Sequence, residues 1–185
     1  MEIFGPGRSG WVALLLIVIA STSAAADPAQ LSILAPWEAE GRVYQVGPTE
    51  RQFIGEIEGI MYVEKGEGEL DTALFVCPIV HEIETESNRT TASGRCHIVA
   101  TRGNVYGKFT CTGEPGHCDG QFEVTGGTEE FERVSGGGAI RIRIALSVMA
   151  TDEASGEIVA EAKGLAIWPD LALALPGQDR PGIEK

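Results

Sequence analysis

The sequence predicts an all-β protein: an eight-stranded antiparallel meander closed into a barrel, carried behind an N-terminal signal peptide. Three observations predict it. From Trp37 to Trp168, short apolar or alternating runs are broken by Gly, Asn, Asp and Pro, with no sustained 3.6-residue periodicity. Connections such as Arg102-Gly103-Asn104 are tight enough to join antiparallel neighbours and too short for a crossover. A meander of eight strands left open would expose two edges, and closure is the usual way to remove that hazard.

Taken in order, residues 1–26 carry Arg8, an uninterrupted apolar run from Trp11 to Ala20 and then Ser21-Thr22-Ser23-Ala24-Ala25-Ala26. A short apolar run ending in small residues is the pattern of a secretory signal peptide, and it falls well short of the ~20 residues that cross a bilayer. No membrane insertion is expected once it is removed. Residues 27–36 read as a loose lead-in. Strands follow near Trp37 to Val46, Phe53 to Val63, Thr72 to Val80, Arg95 to Thr101, Val105 to Thr112, Gly120 to Thr125, Ala139 to Ala150 and Glu157 to Trp168. In Ile140-Arg141-Ile142-Arg143-Ile144 the isoleucines take one face and the arginines the other, as a strand with one wet side requires. The last strand puts Ile158, Ala160, Ala162, Gly164 and Ala166 on one parity. A face that thin lets the sheet curve sharply or leaves room inside it. Residues 169–185 read as a Pro-rich tail, with Leu171-Ala172-Leu173-Ala174-Leu175 lying over the barrel wall or mouth and disorder beyond Gly177.

All four cysteines, Cys77, Cys96, Cys111 and Cys118, follow the signal segment, so disulfides are the expected state. If the strands around the polar loop 84–91 form a hairpin, Cys77 and Cys96 are equidistant from its centre and face each other across the ladder. Cys111 and Cys118 stand in the same relation to Glu114-Pro115, a reversal in which proline presets φ and the following glycine accepts a positive one. The expected pairs are therefore Cys77 with Cys96 and Cys111 with Cys118.

The chain has a formal net charge of −13, and removing residues 1–26 takes away one charge of each sign, Glu2 and Arg8. A surface of that sign repels phosphate backbones and anionic lipid heads, so neither nucleic acid nor a membrane surface is an expected partner. The mature length suits a single domain. No feature marks a catalytic centre or a cofactor site. His81, His97 and His117 lie close to cysteines in sequence, yet paired Cys-x-x-Cys elements are missing, and Cys96 and His97 point to opposite faces of a strand. Disulfides with incidental histidines is the reading, with no metal. Gly126-Gly127-Thr128 and Ser135-Gly136-Gly137-Gly138 lack the lysine and helix of a phosphate cradle and read as turns. The acidic stretches 64–71 and 129–132 lack the alternating oxygen spacing of a calcium loop. Glu56 and Glu58, which alternate with Ile57, read as water-facing. Asn88-Arg89-Thr90 matches the glycosylation sequon, usable in a eukaryotic secretory pathway but without meaning in a bacterial periplasm, the compartment that the alanine-rich signal segment suggests first.

The run Gly120-Gln121-Phe122-Glu123-Val124-Thr125-Gly126-Gly127-Thr128, followed by Phe131 and Gly136-Gly137-Gly138, resembles the allene oxide cyclase and dirigent barrel superfamily. There a strand ends at Gly-Gly-Thr-Gly, and a Phe, a short loop and a Gly lead into the next. The likeness is to an exported bacterial branch of unassigned function. The resemblance implies an eight-stranded antiparallel barrel with a partly apolar lumen, and it carries over no catalytic position. This chain departs from the pattern at Glu129, where the superfamily usually has glycine.

Three functions follow as expectations: an exported, acidic, disulfide-stabilised barrel that binds a small apolar or amphipathic ligand; a cyclase- or isomerase-like enzyme acting on a reactive apolar substrate; or a structural or interaction module of the cell envelope. The first needs a cavity. The second needs a buried carboxylate or histidine with a displaced pKa inside the barrel. The third needs an exposed apolar patch or a stable oligomer.

Overall fold

The computed structural model describes residues 28–151 and 158–175. Residues 1–27, 152–157 and 176–185, on which the expected signal peptide and the disorder expected past Gly177 fall, lie outside the described residues. The elements are β1 (Ala29–Gln45), β2 (Glu50–Ile60), β3 (Tyr62–Val63), β4 (Leu74–Glu84), β5 (Arg89–Ala100), β6 (Gly103–Glu114), β7 (His117–Gly127), a 3-10 turn (Glu129–Phe131), β8 (Ser135–Thr151) and β9 (Ile158–Ala174). Hydrogen-bonded neighbours run β2-β4-β5-β6-β7-β8-β9-β1, and β1 pairs back to β2, closing an antiparallel barrel of eight strands. The two-residue β3 adds only to the first half of β1.

The barrel extends past both limits expected for it. The described part of the expected lead-in, residues 28–36, is not loose. Strand β1 begins at Ala29, and Ile33 and Ala35 are completely buried. Residues 169–185 do not begin a tail, because β9 continues through Ala174 and buries Leu171 and Leu173 inside the barrel rather than over its wall or mouth. The physical reason is a bulge. Leu31 pairs with Leu171 and Ile33 with Trp168, so Pro169 and Asp170 together oppose Ser32. A bulge is where a strand tolerates proline, so Pro169 interrupts the ladder without ending it.

One end of the barrel is closed. The connection from β2 to β4, the β5–β6 turn and the 3-10 turn before β8 gather there, and Leu70, Phe131, Val134 and Leu173 plug it with almost no exposure. Two acidic stretches meet at the same end, bridged by Arg102. Arg102 pairs with Glu69, and its Nη1 lies 2.9 Å from Glu130. Asp71 is also engaged, its Oδ1 accepting the Val63 N–H at 2.9 Å. Glu56 and Glu58 lie on the exposed face of β2.

Inside, large aromatic rings lie over glycines of neighbouring strands. A methyl group at Gly41 would stand 2.6 Å from the Phe53 ring, one at Gly94 2.6 Å from Phe109, and one at Gly164 2.5 Å from Trp37. Phe75 over Gly59 and Phe122 over Gly107 repeat the arrangement. An eight-stranded barrel is only just wide enough for side chains to fill. Six-membered rings fit that width when the facing residue has no Cβ, so these strand glycines are packing sites rather than breaks.

Both disulfides line the interior. Cys77 bonds Cys96 with Cα atoms 4.2 Å apart, and Cys111 bonds Cys118 at 5.5 Å. Cys77 and Cys96 face each other across the β4–β5 ladder. Cys111 instead lies opposite Gly120 and Cys118 opposite Gly113, so the second bridge runs diagonally, because the β6–β7 turn is centred one residue later than Glu114-Pro115. Each bridge closes a short loop of a hairpin whose strands are already paired.

Candidate functional site

The strand registers stack inward side chains in layers. Arg51, Ile83, Thr90 and Gly113 lie side by side on β2, β4, β5 and β6, and the row beneath them is Phe53, His81, Ala92 and Cys111. The next row down is Gly55, Ile79, Gly94 and Phe109. Opposite these rows, β9 offers only Ala160 and Ala162. Aromatic and branched side chains on one side and alanines on the other leave space between, a cavity of about 460 Å³.

Trp37, Ile57 and Phe109 form the deep part of this cavity. Its rim is built from exposed groups: Arg51, the β6–β7 turn at Glu114 to His117, and Leu146, Ser147 and Met149 of β8. The opening has a structural cause. Strand β7 begins at His117, opposite Arg143, so β8 from Ala145 to Thr151 pairs with β9 alone. A bulge at Ala145 then turns Ser147 and Met149 toward the mouth, and the Ile144 N–H, donating to the Gly116 carbonyl at 2.8 Å, ties the β6–β7 turn to the point where the strand bends.

The three histidines separate. His97 is on the outer wall, stacked on Tyr106 with ring centroids 5.3 Å apart. His117 is exposed at the rim, and His81 faces the cavity. All four cysteines are in disulfides, and among the described residues no group of three or more His, Cys, Asp or Glu side chains converges as metal ligands do. The sequon is split by the wall: Asn88 is exposed in the β4–β5 turn, whereas Thr90 is 3% exposed and faces the interior. Neither His81 nor Thr90 was singled out by sequence as a cavity group. The alternation Ile79, His81, Ile83 was the available signal, placing an imidazole on an otherwise apolar face.

Burial pushes the His81 imidazole below its ordinary 6.5 because the charged form loses its hydration. Other charged or titratable groups on the cavity are Arg51 from β2 and Glu114 and His117 from the β6–β7 hairpin, all at the rim. With the folded value below the unfolded one, the unfolded chain binds the extra proton as pH falls. The stability that a neutral His81 contributes is whole above 6.5 and is lost as pH drops through the folded value. Denaturant midpoints taken at about pH 7.5 and about pH 5 should therefore fall further for the native chain than for His81→Phe. Both proteins keep His97 and His117, so equal falls would remove His81 from the account.

The outer wall carries a separate apolar row in which Ile60, Leu74 and Val99 pair across β2, β4 and β5, each more than 40% exposed. Among the described residues no helix is long and apolar enough to cross a membrane. No protein-family model matches this chain, and no curated protein matches it.

Proposed function

We propose that this protein is an exported carrier or receptor that holds a small apolar or amphipathic molecule in the open end of its barrel. The observation that carries the reading is the cavity itself, about 460 Å³, walled mainly by aliphatic and aromatic side chains and opening at the rim formed by Arg51, the β6–β7 turn and β8. Ligand pockets of small molecules are of this size and lining. Two disulfides support export, since such bonds persist in oxidising compartments, and a periplasmic or secreted location accords with the signal-like N-terminus. The likeness to the allene oxide cyclase and dirigent superfamily gains support at the position where this chain departs from it. Glu129 adopts φ of 55°, the left-handed region that glycine occupies most readily.

Native mass spectrometry of gently purified protein, compared with the denatured and reduced mass, tests this. An extra mass lost on denaturation is the expected result, and Ala160→Trp, which places an indole in the cavity, should lose it while keeping the fold. A bare mass together with no uptake of 1-octanol or naphthalene would overturn the reading.

One observation favours a second reading, that of a cyclase- or isomerase-like enzyme. His81 is a titratable group inside the cavity with a displaced pKa, the kind of group such chemistry uses. The two readings separate on the fate of the bound molecule: a carrier releases the mass it took up unchanged, and an isomerase releases a rearranged structure.

A further inference from the structure

Below the rim, besides the indole N–H of Trp37, the polar side chains on the cavity wall are His81 and Thr90, and these two are neighbours. His81 pairs with Ala92, and Ile83 pairs with Thr90, so the imidazole and the hydroxyl are diagonal partners on the inner face of the β4–β5 ladder. Diagonal positions are about 7–8 Å apart, within reach of one small functional group placed between them. Thr90 is 97% buried, since only 3% of its surface is exposed, and its hydroxyl has no hydrogen-bond partner among the described residues. The His81 ring likewise has none. Polar groups that face a cavity take their hydrogen bonds from water or from a bound molecule, so this pair marks where the polar atom of a ligand would sit.

We propose that the molecule taken up by this cavity carries a neutral hydrogen-bonding oxygen, a hydroxyl or a carbonyl, at one end of an apolar body, and that His81 and Thr90 receive it. This rests on the reading of the barrel as a binding protein. The apolar body fills the deep part against Trp37, Ile57 and Phe109, and the oxygen comes to rest one layer below the rim. At roughly 30 Å³ for each non-hydrogen atom, the volume of a water molecule in the liquid, the cavity takes on the order of fifteen such atoms. Charge argues for a neutral oxygen rather than an anion. The chain has a formal net charge of −13, Arg51 at the rim is offset by Glu114, and burial disfavours the cationic form of His81. A neutral imidazole can donate from one nitrogen and accept at the other, and a hydroxyl does both, so the pair suits a ligand alcohol as well as a ketone.

Matched probes test this: 1-octanol against octane and 2-naphthol against naphthalene, each titrated into the native protein, Thr90→Val, and the double variant His81→Phe/Thr90→Val. Valine keeps the shape of threonine and removes only the hydroxyl, and near-ultraviolet circular dichroism checks that each variant keeps its packed core. The expected result is an affinity for the alcohols about tenfold lower in the double variant, with the hydrocarbons unchanged or slightly tighter. Thr90→Ser should retain most of the affinity for the alcohols. If the affinities for alcohols and hydrocarbons move together, or if the variants bind the alcohols as the native protein does, the inference fails while the binding reading stands. If the native protein binds no member of either pair, the binding reading fails and takes the inference with it.

Discussion

Replacing Trp168 with alanine should destabilise the barrel by about 3–5 kcal/mol, the range for emptying a large aromatic site in a packed core. Trp168 is 2% exposed, and two rings approach it edge-on, Phe75 at 6.0 Å with an interplanar angle of 83° and Phe122 at 5.8 Å with 88°. Those contacts join β4 and β7, which β5 and β6 separate around the barrel, through a residue of β9. The two rings that touch it are poorly placed to swing in and fill the space, because Phe75 and Phe122 are themselves seated on Gly59 and Gly107. Trp168→Phe should cost much less. The Trp168 Nε1–H is buried with no partner among the described residues, so losing it removes an unsatisfied donor and offsets part of the lost area. Denaturant unfolding of both variants checks the pair. A loss below about 1 kcal/mol for the alanine variant would mean that the closed end repacks freely and does not form a rigid floor beneath the cavity.

Much of this architecture could be read along the chain because it is local. The hairpin 77–96 places its cysteines symmetrically about a turn, the hairpin 111–118 is offset so that its cysteines are diagonal neighbours, and the structure joins Cys77 to Cys96 and Cys111 to Cys118. Eight strands fall close to the eight expected, since each is bounded by its own turn residues. Closure was the step that the local pattern could argue only in principle. It depends on β1 pairing with both β2 and β9, and the second pairing spans more than a hundred residues, from Ala39 to Ala162 for example. The same long separation hid the ends. Ala29 to Pro36 lacks a turn-bounded partner nearby, and Pro169 reads as a terminator until the opposing Ser32 turns it into a bulge. The site was harder to see than the fold. Thr90 looked like part of a polar loop, and His81 looked incidental to Cys77. Only the registers of three ladders bring them to the cavity in one layered wall with Arg51 and Phe53. The thin face of β9 is the exception, a local feature whose spacing did indicate room inside.

That thin face does two jobs, and a single substitution separates them. Toward the mouth, Ala160 and Ala162 border open cavity, whereas Gly164, between Trp37 on β1 and Ile144 on β8, has no room at all. A Cβ added there would strike the Arg143 carbonyl and stand 2.5 Å from Cζ2 and 2.8 Å from Cε2 of the Trp37 indole. Glycine to a β-branched residue in the middle of a strand is ordinarily favourable, since it lowers the entropy of the unfolded chain and suits extended backbone. Here the sign should reverse. The Arg143 carbonyl is held in the ladder and the Trp37 ring is 4% exposed, so neither neighbour can yield cheaply, and Gly164→Val should cost about 3 kcal/mol, at the upper end of overpacking effects. The displaced indole has one direction in which to move, into the cavity that it borders. The variant should therefore lose affinity for an apolar probe such as naphthalene as well as stability, and Trp37→Leu in the same chain should recover part of both, giving a coupling between the two positions well above the few tenths of a kcal/mol seen for independent sites. A Gly164→Val protein as stable as the native one would show that the β9 wall is loose enough to accept a side chain, and the cavity would then owe its volume to softness in the barrel rather than to the seating of Trp37 on Gly164.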